Sequence, residues 1–346
     1  MWNLREVHQP NGRPDWLAST RNDVAYLLER AFEEINLGEN KVFDPKEKKL
    51  EDPLGVCLEN LVALEKTDLK ELEVQALQAE GFSWLAVDCT YDLSREVAAR
   101  ALGPLAVALG VAGPLKIEGE EGASTPEEIR AAYDQLVLVV RPIVRGEGGS
   151  VLDVRTAVED IGKLQPDRSG TLRLLRATNV LLERAGGRSS LDYVRALQRS
   201  LAQRSVGFAL DAVLEDSNGR VVGAGLKTRL LIATPEQAQE LLVWAVENQH
   251  EAVARRDEIP LAALEWIADH GLPGGTGTPG ELGEVEEEWC ARLVELISGV
   301  RGPVATASAR ALSEVTGRPA TIRPEVWLTW WRWERPTPEA AEDVPK

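Results

Sequence analysis

Apolar residues recur at helical spacing through the first part of the chain, which predicts an N-terminal helical module over residues 1–122. One apolar run does not follow that spacing. It extends from Phe82 to Asp88 and directly follows Gly81, the predicted end of a helix. Because the run is short and apolar, a buried strand is predicted near 82–89. A second short strand is predicted at 116–118.

Residues 123–204 are predicted to form helical hairpins. Thr125-Pro126-Glu127-Glu128 has the sequence of a capping box, in which the threonine hydroxyl and Glu128 satisfy free backbone donors at a helix start. Short Gly, Pro and Ser turns separate four helical stretches, 126–140, 151–164, 170–185 and 190–204. Helices joined by such short turns pack as antiparallel neighbours, the unit of bundles and solenoids.

Residues 205–233 alternate apolar and polar positions with a period of two, which predicts a long β-hairpin. The alternating sets run from Val206 to Leu214 and from Val222 to Leu230. A two-residue Asn-Gly turn would put the two apolar sets on opposite faces of the hairpin. A three-residue turn with a bulged Gly219 puts them on one face, so this register is preferred.

Helical spacing returns over residues 234–335. Thr-Pro pairs that begin at Thr234 and Thr278 are predicted to cap helices and lie 44 residues apart, while Pro260 and Pro303 lie 43 apart. Two-helix solenoid repeats use periods of about 40–47 residues. The spacing therefore predicts a helical repeat array in this region.

The end of the chain carries a longer pattern. Residues 311–317 read Ala-Leu-Ser-Glu-Val-Thr-Gly, and residues 324–331 read Pro-Glu-Val-Trp-Leu-Thr-Trp-Trp. This resembles the closing pattern of bacterial HEAT-repeat proteins, in which an Ala-Leu helix ends in Thr-Gly and a last helix carries Pro-Glu-x-Trp-x-x-Trp-Trp. The resemblance implies a helical array that binds partners rather than one that carries out a particular reaction.

Three tryptophans define one face of the predicted last helix. Trp327, Trp330 and Trp331 stand at positions i, i+3 and i+4. This face either covers the open end of the last repeat or presents an aromatic surface to a partner, and both alternatives stay open. Residues 336–346 after it are predicted to be a disordered tail.

The charge of the chain is strongly uneven. It has 56 acidic and 39 basic residues, a net charge of -17, which argues against a protein that coats nucleic acid with its whole surface. Residues 168–204, in contrast, contain eight arginines and only two acidic residues. These arginines either pair within the protein or bind an acidic protein surface, including another copy of the chain, or nucleic acid. The predicted partner-binding arginines are Arg173, Arg176, Arg184, Arg188, Arg195 and Arg199.

Two further motifs could carry chemistry. Asp88 and Asp92 follow the strand predicted near 82–89, where aspartates can hold Mg²⁺ or attack phosphate. The alternative is that Asp92 caps the next helix and Asp88 closes a turn. Residues 275–280 match G-x-G-x-x-G, but they follow a helix and not a strand, which favours a flexible loop over a dinucleotide site.

Several classes of protein are not expected. The three cysteines and three histidines form no zinc-binding spacing, so no metal or cofactor is predicted. No stretch of about 18 apolar residues exists, so no membrane partner is expected. The N-terminus lacks the pattern of a secretory signal, and a cytoplasmic location is predicted.

The sequence thus predicts a mostly α (α+β) fold of helical hairpins, with a HEAT-like C-terminal array, an inserted β-hairpin and one or two short N-terminal strands. The predicted function is that of a non-catalytic scaffold or adaptor subunit of a bacterial or phage assembly, with residues 168–204 bound to an acidic partner. A nucleic-acid-binding subunit that uses the same segment is one alternative. A metal-dependent phosphoryl-transfer or hydrolytic enzyme centred on Asp88 and Asp92 is the other.

Overall fold

A computed structural model describes residues 42–44, 49–51, 71–89, 92–111, 124–185, 191–247, 257–278, 280, 282–300 and 302–334. The chain divides into two compact units, Met1–Val213 and Leu214–Lys346. The described residues are overwhelmingly helical, which confirms the mostly α class. The strand predicted at 116–118 and the tail 336–346 lie outside the described residues.

Six helices are seen in the part of the first unit that the structure describes. They are α1 (Glu71–Asp88), α2 (Asp92–Leu109), α3 (Pro126–Arg145), α4 (Val151–Gly162), α5 (Arg168–Ala185) and α6 (Asp192–Leu214), of which α6 ends in the second unit. Two short strands, β1 (Val42–Asp44) and β2 (Lys49–Glu51), pair antiparallel, with Val42 opposite Glu51. Helix α1 packs on α2 and α5, and α3 packs on α4 and α5. Leucines such as Leu85, Leu102, Leu136 and Leu174 fill the core.

The predicted capping box at the start of α3 is confirmed. The backbone N–H of Glu128 donates to Thr125 Oγ1 over 3.3 Å, and the backbone N–H of Thr125 donates to Glu128 Oε2 over 2.8 Å. The helix continues beyond its predicted end and stops at Gly146, whose φ of 73° is a left-handed conformation that glycine adopts without steric cost.

The strand predicted near 82–89 is wrong, because residues 82–88 are the last two turns of α1. Gly81 does not end the helix but lies buried within it. A short apolar run fits a helix that is buried on all sides as well as it fits a buried strand. Phe82, Trp84 and Leu85 are all buried, so this part of α1 has no exposed polar face. Its apolar residues therefore do not recur at the usual helical spacing.

The β-hairpin predicted over 205–233 is also wrong. Its first half is the end of α6, and its second half is α7 (Gly219–Leu230). Apolar residues at 206, 209, 210 and 213 also fit a helix. Helix α6 continues through them, including Gly207, without a proline or a turn, so no new nucleation is needed. Asn218 caps α7 by accepting a hydrogen bond from the Arg220 backbone N–H over 3.0 Å.

The second unit begins with the last residue of α6. Its helices are α7, α8 (Pro235–Glu247), α9 (Glu258–His270), α10 (Glu284–Gly299), α11 (Pro303–Thr316) and α12 (Pro324–Thr329), and a π-helical turn follows at Trp330–Glu334. Helix α9 packs on α7, α8 and α11, and α10 packs on α11 and α12. Gly223 allows α7 to approach α9 closely, because an added Cβ would lie 3.2 Å from Ala262 Cβ.

The two predicted Thr-Pro caps differ in outcome. Thr234 caps α8, since its Oγ1 accepts the Gln237 backbone N–H over 3.3 Å. No helix begins at Thr278, because α10 starts at Glu284 after Gly283. The interval of 44 residues between the two Thr-Pro pairs is therefore not a distance between equivalent helix starts.

Candidate functional site

Asp88, one of the two candidate catalytic carboxylates, lies at the last residue of α1 and is bound by an arginine. Arg168, the first residue of α5, donates from Nη1 to Asp88 Oδ2 over 2.8 Å and from Nη2 to Oδ1 over 2.6 Å. The hydrogen bond to Asp88 is the main cause that raises the pKa of Arg168. Asp88 lies at the C-terminal end of α1, where the helix dipole disfavours a negative charge. Arg168 lies at the N-terminal end of α5, where the dipole disfavours a positive charge. The ion pair between them offsets both unfavourable interactions.

Asp92, the second candidate, lies in the first turn of α2. Arg95 Nη1 is 3.4 Å from Asp92 Oδ1, and the aspartate side chain is largely exposed. Within the described part of the chain, no three His, Cys, Asp or Glu side chains are grouped so that they could hold a metal ion. Both aspartates therefore take part in ion pairs that belong to the fold.

Arg176 of the arginine-rich segment is also directed into the protein. Its Nε donates to Glu80 Oε1 over 2.7 Å, and Asn179 Nδ2 donates to Glu80 Oε2 over 2.9 Å. Asn179 Oδ1 in turn accepts Gln198 Nε2 over 2.8 Å. The Glu80 side chain is 6% exposed, so the two donors are what stabilise its charge. The chain of contacts joins α1, α5 and α6.

Two other arginines of the segment are partly buried. Arg195 lies 2.7 Å from Asp192, one turn earlier in α6. The guanidinium of Arg204 lies over the Phe208 ring at 5.7 Å, and its Nη2 donates to the Pro166 carbonyl over 3.4 Å. Burial lowers the pKa of Arg204, because the interior disfavours the charged form.

Arg173 of α5 and Arg199 of α6 differ from these. Both side chains are exposed, and neither forms an ion pair with any residue that the structure describes. Arg184 lies in α5 with its side chain outside the described set, and Arg188 lies outside the described residues altogether. The segment therefore does not present all its arginines on one face.

Sequence reasoning missed Glu80 and Asn179 as partners of Arg176. A signal was present, because Gln75, Gln78 and Glu80 interrupt an otherwise apolar stretch of α1, and all three are buried. A polar residue in a buried stretch needs a partner of its own. The pattern does not say which distant residue supplies that partner.

Gly275 and Thr276 of the glycine-rich loop, together with Gly283, lie against a carboxylate of the protein itself. Glu286 is 4% exposed and accepts backbone N–H groups of Thr276 and of Gly283, the latter over 3.1 Å. A Cβ on Gly275 would clash with Glu286 Oε1, and a Cβ on Gly283 would lie 2.9 Å from Oε2. The glycines thus allow the backbone to close around Glu286.

The C-terminal tryptophans lie in the core of the second unit. Trp327 and Trp330 are buried, and their rings meet edge to face with centroids 5.8 Å apart. Trp327 Nε1 donates to the Thr321 carbonyl over 2.7 Å, and the Arg318 guanidinium lies over the Trp330 ring at 5.4 Å. Trp331 is partly buried against the same core.

Comparison with known proteins gives no relative. No family model matches the chain, and neither a curated protein nor a solved structure matches it. Among the residues that the structure describes, no helix has the length and apolar character needed to cross a membrane.

Proposed function

We propose that this protein is a non-catalytic helical scaffold or adaptor that binds an acidic partner through Arg173 and Arg199. The observation that carries the proposal is the division of the arginines in 168–204. Arg168 and Arg176 contact carboxylates of α1, whereas Arg173 and Arg199 are exposed without an ion pair among the described residues.

The physical chemistry of arginine supports this division of roles. A guanidinium presents several N–H donors in one plane and binds carboxylates with two hydrogen bonds. Arg168 uses this geometry inside the protein, where it joins α5 to α1. An exposed arginine offers the same donors to a partner, and its attraction extends over about 8–10 Å at ordinary salt concentrations.

The packing of the second unit supports a HEAT-like array as part of the proposal. Helices α7, α9 and α11 lie in series, with α9 packed on both of the others. Alternate helices pack in this way in solenoids, whose extended surfaces bind partners. Together with the Ala-Leu…Thr-Gly and Pro-Glu-x-Trp pattern, this arrangement favours binding over catalysis.

The test is a binding titration with fluorescein-labelled poly-L-glutamate as the acidic partner. Fluorescence anisotropy at low salt is expected to show binding that weakens as salt rises, and Arg173→Glu with Arg199→Glu is expected to weaken it about tenfold or more. Arg323→Glu with Arg332→Glu is the matched control, because it changes the net charge equally at exposed positions of the second unit. An equal loss in both double variants, or no binding at all, would refute the proposal.

A labelled single-stranded oligonucleotide of similar length forms the second arm of the titration. Nucleic-acid binding also depends on arginine and falls steeply with salt, so salt dependence alone does not separate the two partners. Binding of the oligonucleotide without binding of poly-L-glutamate would replace the acidic protein partner with nucleic acid.

A further inference from the structure

Two carboxylates of α1 contact two arginines of α5 in matching order. Glu80 lies 2.7 Å from Arg176. Asp88, eight residues further along α1, lies 2.6 Å from Arg168, which is eight residues earlier in α5. The two helices therefore run antiparallel at this contact, and the two ion pairs are about 12 Å apart along the helix axes. Within the folded chain, α1 thus binds α5 as an acidic helix.

The arginines of this contact remain within reach of solvent. The side chain of Arg176 is 34% exposed and that of Arg168 is 31% exposed, whereas the side chain of Glu80 is only 6% exposed. A guanidinium has five N–H donors, more than a single carboxylate can use. A second acidic group can therefore approach either arginine from the solvent side.

Arg173, which the proposed function assigns to an acidic partner, lies beside this contact. It is exposed and precedes Arg176 by three positions on the same helix. Side chains three positions apart on a helix are neighbours. An acidic partner that binds Arg173 would therefore also reach Arg176 and would compete with Glu80 for its guanidinium.

The contact between α1 and α5 can be exchanged for another of the same chemistry. One carboxylate can replace another at the same guanidinium, so the arginine does not lose its ion pair when the partner changes. Glu80 regains its hydration when it is released, which offsets part of the interaction that it loses. Competition by an acidic partner is therefore energetically feasible at this contact.

We propose that α1 is an autoinhibitory element, in which Glu80 and Asp88 occupy Arg176 and Arg168, and that an acidic partner bound at Arg173 loosens α1 from α5. The inference rests on the proposed function, because it concerns the regulation of the same arginine surface. By thermodynamic linkage, a change that weakens the contact of α1 with α5 strengthens partner binding, and partner binding weakens that contact by the same factor.

Amide variants of α1 test the effect of this contact on affinity. Asp88→Asn and Glu80→Gln keep the size of the side chain but remove its charge, so each is expected to raise the affinity for fluorescein-labelled poly-L-glutamate about fivefold. Asp92→Asn is the matched control, because it also removes one negative charge, but from an exposed side chain that pairs with Arg95 and not with α5. Far-UV circular dichroism verifies that each variant folds.

Thiol labelling tests whether the partner loosens α1. Cys89 directly follows Asp88 and is 3% exposed, so its labelling reports movement at the end of α1. Cys290 is fully buried in the second unit and is the internal control. Labelling of the unmodified protein with iodoacetamide, followed by peptide mapping, is expected to be about fivefold faster at Cys89 when poly-L-glutamate is present and unchanged at Cys290.

Four results would overturn the inference. An equal gain of affinity in Asp92→Asn would show only the general effect of one negative charge less. Unchanged affinity in folded Asp88→Asn and Glu80→Gln would remove the autoinhibitory role and leave the proposed function in place. Labelling of Cys89 that does not respond to poly-L-glutamate would show that α1 stays bound to α5. Absence of any binding to poly-L-glutamate would refute the proposed function and this inference together.

Discussion

Asp88 and Arg168 lie 80 positions apart in the sequence and form a two-point ion pair, with N–O distances of 2.6 and 2.8 Å. Each belongs to a different feature that the sequence singles out, Asp88 to a candidate catalytic pair and Arg168 to the arginine-rich segment. In the folded chain they form one contact, which joins the end of α1 to the start of α5. This contact favours a structural role for both residues.

Replacement of Asp88 by alanine is expected to lower the free energy of unfolding by about 1–3 kcal/mol, because Arg168 loses two charge-assisted hydrogen bonds. Urea unfolding followed by far-UV circular dichroism measures the change. Asp92→Ala is the control. Its side chain is exposed and its contact with Arg95 is longer, so a change within about 0.5 kcal/mol is expected.

The same two variants test the enzymatic alternative. If Asp88 held a metal ion, Mg²⁺ or Mn²⁺ would raise the melting temperature of the unmodified protein but not that of Asp88→Ala. Such a difference would contradict the structural role given to the pair with Arg168.

Glu80→Ala is expected to lower the free energy of unfolding by about 2–4 kcal/mol, more than Asp88→Ala does. The reason is that it removes the carboxylate that both Arg176 and Asn179 contact. Glu159→Ala removes an exposed carboxylate that pairs with Arg155, and a much smaller loss is expected, because solvent screens this pair. Denaturant unfolding of the two variants compares them directly. Equal losses would mean that the Glu80 contacts do not join α1 to α5 as described.

Gly275→Ala is expected to lower the free energy of unfolding by about 1–3 kcal/mol, because the new methyl group would clash with Glu286. Gly162→Ala is the control, since its Cβ meets nothing within 4 Å and it lies at the end of α4, so stability is expected to stay the same or rise slightly. In a double-mutant cycle, Gly275→Ala should cost less when Glu286 is also alanine. Independent, additive effects would disprove the contact.

Trp327→Ala is expected to destabilise the protein by about 3–5 kcal/mol, because the indole fills the core of the second unit. Trp333→Ala is expected to change stability by no more than about 0.5 kcal/mol, since that side chain is 83% exposed. Thermal unfolding of the two variants measures the contrast. A small effect at Trp327 would mean that the terminal helix does not close the core.

Of the Thr-Pro caps predicted at Thr125, Thr234 and Thr278, the first two form, whereas no helix begins at Thr278. The capping box at Thr125 and the cap at Thr234 both form, because all the groups involved lie within three residues of one another. Signals that depend on the period of apolar residues were less decisive. Residues 206–214 satisfy both the strand period and the helix period, and their continuity with α6 decides in favour of the helix.

Contacts between distant residues could not be predicted from the pattern. The composition of 168–204 left open whether its arginines pair within the protein, bind an acidic protein or bind nucleic acid. The internal partners Glu80 and Asp88 lie in another helix, which the sequence placed partly in a strand. The tryptophan spacing fits a buried or an exposed surface equally well, and in the structure Trp327 and Trp330 are buried. Whether a helix face is buried depends on which helices pack together, and the spacing of residues along one helix does not contain that information.

Arg168 and Arg176 contact carboxylates of α1, and we propose that Arg173 and Arg199 bind the partner. Two double variants test this division of roles. The first carries Arg168→Ala and Arg176→Ala, and the second carries Arg173→Glu and Arg199→Glu. For each, the free energy of unfolding and the affinity for poly-L-glutamate are measured. The first double variant is expected to lose about 2–5 kcal/mol of stability. The second is expected to keep its stability and lose its affinity. Loss of stability in the second variant with unchanged affinity would contradict the claim.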